Sequence, residues 1–346
     1  MRRGSRLAIA LPVVACLAAI VVLATAGSHA PSHRAPARII ALPHGRAPVR
    51  NARATHRAIR VNAQLIGTLP SAVQDSAVAP LGQGRVVLLG GIDAAQSSTD
   101  AITIIDGGTA RIAGALPGAQ HDAQAALLGA QVYVFGGGEF TEYDHILRYD
   151  SATGQVTTAG RLPTPASDVA VAAIGDTAYV VGGYDGVHPL DTIVAWRSGE
   201  TPHVVARLPA GLRYAAVAAA GRRLIIAGGE AGDAQVLSDA VYSFDPASRA
   251  VRRIGRLPVP LTHAAADDLD GQVLVVGGRR ELAGEQTNAI LAVDPSTGHV
   301  AIAGRLPTPL SDAMVATTAD DVIVAGGESP SGAQRSVFRL LPRIAR

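Results

Sequence analysis

The sequence predicts an all-β fold in which six antiparallel sheets of four strands each stand around a common axis. Three observations carry this. Gly-Gly pairs begin at 90, 136, 182, 228, 277 and 326, spacings of 46, 46, 46, 49 and 49 residues. Leu-Pro pairs begin at 69, 116, 162, 208, 257 and 306, spacings of 47, 46, 46, 49 and 49, so two independent markers keep one period. Each Gly-Gly pair also ends a short run such as "VVLL", "VYVF", "AYVV" or "LIIA". A run apolar at every position suits a strand covered on both faces, so each sheet must lie between two others.

Within one period the segments follow in a fixed order. After the Leu-Pro turn comes a segment of small residues, as in "DVAVAAIG" (168 to 175) and "YAAVAAAG" (214 to 221), suited to strands crowded around an axis. The apolar second strand and its Gly-Gly follow, where glycine admits the positive φ of a tight exit. A third strand ends in "RYD" (148 to 150), "SFD" (243 to 245) or "AVD" (292 to 294). A hairpin such as "DSATG" (150 to 154) or "DPSTG" (294 to 298) then leads into the fourth, Asp capping the turn and Gly supplying positive φ. The last period stops after its third strand, in "RSVFRLLPRIAR" (335 to 346). The segment before the first Leu-Pro, "AIRVNAQLIGTLP" (58 to 70), reads as a fourth strand with no preceding three. Joining the two closes the ring and removes an open edge.

Ahead of this domain, expected over 58 to 346, lie two other segments. "MRRGSR" followed by the apolar run Leu7 to Ala26 has the form of an export signal, predicted as an apolar helix. Twenty residues at about 1.5 Å each are long enough to span a bilayer, while "ATA" at 24 to 26 fits a cleavage site. Residues 1 to 26 therefore read as a signal peptide or a membrane anchor, with lipid attachment at Cys16 as a third reading. Residues 27 to 57, rich in Ala, Pro and Arg, read as a linker. The expected location is extracytoplasmic, tethered to the membrane or secreted.

Charge divides along the same line. Residues 1 to 60 hold 10 Arg and no acid, whereas the remainder holds 20 Arg against 28 Asp and Glu. An acidic body disfavours nucleic acid as a partner. Cys16 is the sole cysteine, so the domain has no thiolate nucleophile and no disulfide.

These repeats resemble the kelch family of β-propellers over residues 58 to 346. The matching features are the Leu-Pro turn, the apolar strand ending in Gly-Gly, and the third strand ending in Asp. The resemblance implies a six-bladed propeller whose last blade is completed by the N-terminal strand, expected to be monomeric. The tryptophan usual six residues after that Asp is replaced by Ile112, Val156, Val251 and Val300. Copper radical oxidases that share this propeller type need a Cys cross-linked to Tyr, which this domain lacks.

Five residues after each Leu-Pro proline stand Asp75, Asp122, Asp168, Tyr214, His263 and Asp312, expected to ring one mouth of the central channel. Four carboxyl groups there could bind a cation, a sugar or a basic peptide, or supply a general acid and base. They could also simply cap their own turns. Arg213, Tyr214 and His263 break the pattern, as a site built on one side of a symmetric ring would. The loops between second and third strands add Glu139, Tyr143, Tyr184, His188 and Arg279 as candidate ligand-binding residues. Trp196 reads as packing. No zinc-protease, nucleophile-elbow, cysteine-cluster or nucleotide-binding motif occurs, and no cofactor is called for.

Two functions fit. The first is a non-enzymatic module that binds a protein or an envelope glycan through its loop face. The second, implied by the resemblance, is a cofactor-free sugar-modifying enzyme similar to the kelch sialic acid mutarotases.

Overall fold

The computed structural model describes residues 59 to 281, 284 to 319 and 321 to 343. The signal, anchor and linker readings, and Cys16, fall outside them. The described residues contain strands and turns and no helix, and so no helix long and apolar enough to cross a membrane.

The strands come in chain order as β1 (Val61–Thr68), β2 (Ala77–Gly82), β3 (Arg85–Leu89), β4 (Thr99–Asp106), β5 (Thr109–Leu128), β6 (Gln131–Gly138), β7 (His145–Tyr149) and β8 (Val156–Arg161). Then follow β9 (Ala170–Ile174), β10 (Thr177–Val181), β11 (Thr192–Trp196), β12 (His203–Arg207), β13 (Ala216–Ala220), β14 (Arg223–Ala227), β15 (Ala240–Asp245) and β16 (Ala250–Arg256). The last are β17 (Ala265–Leu269), β18 (Gln272–Val276), β19 (Ala289–Val293), β20 (Val300–Arg305), β21 (Met314–Thr317), β22 (Val322–Ala325) and β23 (Ser336–Pro342); a few ladders of two or three residues lie in the loops.

Strands β9 to β12, β13 to β16 and β17 to β20 form three antiparallel four-stranded meanders. A fourth has the order β1-β23-β22-β21, so β1 completes the last sheet by antiparallel pairing with β23, from Val61 opposite Pro342 to Thr68 opposite Ser336. The expected closure is thus made by the chain segment before the first Leu-Pro turn. Strands β2 to β8 form one seven-stranded sheet because β5, 20 residues long, serves two units. Its first part pairs with β4 and its last part with β6. Between them the register jumps from Ala101 opposite Ala115 to Thr99 opposite Gln120, so the second Leu-Pro turn is a wide bulge inside a continuous ladder.

The innermost strands β2, β5, β9, β13, β17 and β21 each pack on the next, and β21 packs on β2. Each junction between neighbouring units holds its own apolar cluster. One contains Leu89, Ile102, Val134 and Tyr149, and the junction of last and first units contains Leu69, Leu88, Ile105 and Ile323. Burying each such side chain contributes about 1.5–3 kcal/mol, so the sheets hold one another by their faces. Trp196 belongs to this packing: it meets Tyr133 edge-on at 4.9 Å and donates its indole N–H to the Glu200 carbonyl at 2.9 Å.

The Gly-Gly pairs stitch the sheets together near one face. The second glycine of each donates its N–H to a turn carbonyl of the following unit: Gly91 to Gln120, Gly137 to Ala166, Gly183 to Leu212, Gly229 to Leu261, Gly278 to Leu310 and Gly327 to Val73, all at 2.8–2.9 Å. A Cβ on the first glycine would collide with that backbone; at Gly182 it would lie 2.0 Å from the Leu212 oxygen. Glycine is required there by approach as well as by φ.

Candidate functional site

Where each chain segment leaves its Leu-Pro turn to enter an innermost strand, one residue turns back on itself. Asp75, Asp122, Asp168, Tyr214, His263 and Asp312 all have φ between 51° and 55°. Their backbones hydrogen-bond around the axis: Asp122 to Asp75, Asp75 to Asp312, Asp312 to His263, His263 to Tyr214 and Tyr214 to Asp168, at 3.0–3.3 Å. The six form the collar that the spacing predicts. Asp and His tolerate this left-handed conformation, whereas Tyr adopts it at a greater cost. Because the conformation recurs in every unit it belongs to the scaffold, and the choice of Tyr214 and His263 calls for a separate reason.

Below the collar lies a central cavity of about 360 Å³, walled largely by the small residues of the innermost strands, among them Ala125, Ala172, Ala218 and Ala266. Their unpaired inner edges face it. Two are capped from a neighbouring unit: the Gln124 amide oxygen accepts from the Val78 N–H at 3.1 Å, and the Asp267 carboxylate from the Thr317 N–H at 2.6 Å. Among the described residues no cluster of His, Cys, Asp or Glu is arranged to hold a metal ion.

The collar carboxyl groups pair with one another and with arginine rather than capping their own turns. Asp122 shares a hydrogen bond with Asp168, and Asp75 with Asp312. Burial, then the neighbouring carboxylates, holds Asp75 and Asp122 well above the usual carboxylate range. Asp168 and Asp312 are raised by burial too, but the facing arginines oppose that rise. Arg213 Nη2 lies 2.5 Å from Asp168 Oδ2, and Arg279 Nη2 lies 2.5 Å from Asp312 Oδ2 and 2.6 Å from Glu328 Oε2.

Aromatic groups fill the interval between the two arginines. The Tyr214 and His263 rings stack with centroids 3.7 Å apart. Arg213 lies over the Tyr184 ring at 4.4 Å and donates to the Tyr214 hydroxyl at 3.1 Å; that hydroxyl donates in turn to Asp122 at 3.4 Å. Burial, then Arg279 and Arg213, pushes the His263 pKa down to about 2, so this imidazole is neutral. Thr262 lies 2.9 Å from His263 Nδ1 and donates to Glu230 at 3.1 Å. Burial raises Glu230 above the ordinary glutamate value.

The structure thus brings together Asp75, Asp122, Asp168, Arg213, Tyr214, His263 and Asp312 with two of the loop candidates, Tyr184 and Arg279. The other loop candidates sit outside the collar contacts. Tyr143 donates its hydroxyl to the Ala119 carbonyl at 3.4 Å, Glu139 is exposed, and His188 pairs with Asp233 at 2.9 Å on the outer rim. Sequence reasoning missed Glu230, Glu328 and Thr262. A signal for the first two was present. The residue directly after each Gly-Gly pair is Ile92, Gly138, Tyr184, Glu230, Arg279 or Glu328, and each stands beside the turn residue preceding the collar, as in Ser167 opposite Tyr184 and Ser311 opposite Glu328. Polar groups occupy that row in four consecutive units and are absent from the first two.

No protein-family model matches the chain, and no curated protein sequence does. A solved structure, that of YjhT, superposes with a TM-score of 0.69 at 14% identity, covering 81% of this chain and all of the other. The likeness is one of fold. With the closed circle of antiparallel sheets it supports a β-propeller.

Proposed function

We propose that the domain is a six-bladed kelch-type propeller that binds a small, hydroxyl-rich polar ligand, such as a segment of an envelope glycan, at the collar mouth without transforming it. The observation that carries this is the one-sided row after the Gly-Gly pairs. Tyr184, Glu230, Arg279 and Glu328 present donors, acceptors and an aromatic face on adjacent units, the first three held by a partner in the next unit and Glu328 by Arg279 of the preceding one. Arg213 and Arg279 remain 15% and 18% exposed in their side chains, within reach of a ligand above. Side chains already locked lose little entropy on binding. Screening glycans and small polar metabolites against the wild type, Arg213→Ala and His263→Ala tests it. Ligands retained by the wild type and lost by both variants support the reading, and ligands held equally by all three contradict it.

A cofactor-free sugar-modifying enzyme is the second reading, favoured by one observation. Asp122 faces Asp168 and Asp75 faces Asp312; burial raises Asp122 and Asp75, while an arginine lies against each partner. The mouth therefore holds paired carboxyl groups of unlike environment, the arrangement that general acid and base roles in opening and reclosing a sugar ring require. Turnover lost in the same variants, measured by NMR on anomeric mixtures, would favour this reading; loss of binding without any turnover favours the first. We further propose export through residues 1 to 26, leaving the domain outside the cytoplasmic membrane, either anchored to that membrane or secreted. Fractionation of cells expressing the full chain and a chain lacking those residues checks that.

A further inference from the structure

Outside the collar, the loops between second and third strands carry a second feature. Among the described residues, the most exposed large apolar side chain is Phe140, at 91%, with Val187 at 69% and Val236 at 61%. The three stand on consecutive loops of the same face, in the second, third and fourth units. These loops touch. The Glu142 carboxylate lies against Gly186 so closely that a Cβ there would come within 2.6 Å of its oxygen. Between the third and fourth loops His188 pairs with Asp233, Pro189 abuts Gly211, and Gly232 donates to the Gly211 carbonyl at 2.9 Å. Val259, on the next Leu-Pro turn, extends the arc, since Leu257 and Leu261 of that turn donate to Asp239 and Ser238 of the fourth loop.

Charge along the arc is one-sided. The outer arginines are consumed locally: Arg161 pairs with Asp144, Arg207 with Asp191, and Arg253 and Arg256 with Asp239. Glu139, Glu142 and Asp185 on the loops have no arginine paired to them among the described residues. An isolated exposed valine needs no explanation, but a braced row of apolar tips with acidic groups between them does. We propose that this arc docks a polypeptide segment that is basic and apolar, its aliphatic or aromatic side chains seated between Phe140, Val187 and Val236 and its Arg or Lys groups facing Glu139, Glu142 and Asp185. The acidic groups disfavour an anionic lipid surface as the occupant, since that would bring like charges together. The surface is separate from the collar mouth and does not depend on a ligand there.

Selection of displayed random peptides about twelve residues long on the full chain tests the proposal. Enriched sequences are expected to combine Arg or Lys with Leu, Phe or Trp. Their affinity should fall about tenfold or more in Phe140→Ser/Val187→Ser, and by a smaller, salt-dependent factor in Glu139→Gln/Glu142→Gln. Arg213→Ala should leave peptide affinity unchanged, so failure of the collar reading and failure of this one can be told apart. Phe140, Val187 and Glu139 are exposed and Glu142 is half-buried, and matching melting curves would show the variants folded. Enrichment of acidic peptides, no enrichment, unchanged affinity in the Phe140 variant, or equal binding to anionic vesicles would each overturn the proposal.

Discussion

The first two units and the last four meet the axis in the same way and differ in what they bring to it. Ile92 and Gly138 follow the Gly-Gly pairs of the former; Tyr184, Glu230, Arg279 and Glu328 follow those of the latter. Both groups share the 2.8–2.9 Å stitch from the second glycine to the neighbouring turn and the positive φ at the collar. Backbone geometry is therefore common to the whole circle, and side-chain chemistry is confined to one arc of it. Positions that the fold needs are held constant by hydrogen bonding and close approach, and the position beside them is free to vary. Function is grafted onto such a scaffold at the free positions.

The comparison breaks first if the circle itself is opened. Deleting residues 58 to 66 removes most of β1 and leaves β23 as a bare edge, so the shortened protein is expected to aggregate and to lose its cooperative melt. A deletion variant that melts like the parent on calorimetry would show that closure is dispensable. Next in size is Arg279→Ala, which leaves the buried Asp312 carboxylate and Glu328 without their cation. The expected loss is about 3 kcal/mol in urea unfolding, against about 1 kcal/mol for Ile92→Ala at the matching position of the first unit. Equal losses would remove the distinction between the two arcs.

Glycine substitutions sharpen the scaffold half of the argument. Gly182→Ala should cost about 2 kcal/mol or more, because both its φ of 62° and the Leu212 oxygen oppose a Cβ. Gly107→Ala, at a φ of 58° with open space around it, should cost about 1 kcal/mol. A smaller effect concerns protons. Asp75 and Asp122 have pKa values raised in the folded state, so the fold binds protons that the unfolded chain has released. Their contribution to stability is complete below the ordinary carboxylate range and is lost as pH rises through the folded values. Asp75→Asn and Asp122→Asn keep a hydrogen-bond donor toward the partner carboxylate and should flatten that decline with rising pH in urea midpoints.

Much of the fold was legible in the sequence because its markers are backbone requirements. Gly-Gly and Leu-Pro recur where a Cβ would collide or a turn must form, and β1 was recognisable as a fourth strand without its three predecessors. The fusion of two units through β5 was not legible, since it depends on one extra pairing, Thr99 with Gln120, across a bulge. The collar was readable from the residue five places after each proline. What the sequence does not display is the pairing of Asp122 with Asp168 and of Asp75 with Asp312, which exists only once neighbouring units are packed. Glu230 and Glu328 were overlooked as members of variable loops, although their place directly after Gly-Gly marks them as the inner end of those loops. Glu139, Tyr143 and His188 lie farther along, where the loops turn outward to the rim.

The most direct test of the one-sided mouth is a parallel binding measurement on the wild type, Tyr184→Ala, Glu328→Gln and Ile92→Ala, using every polar ligand that the wild type retains in a glycan and metabolite screen. Binding lost in the first two variants and kept in the third is the expected result. Ligands that depend on Ile92 as strongly as on Tyr184 and Glu328, or on none of the three, would contradict the account.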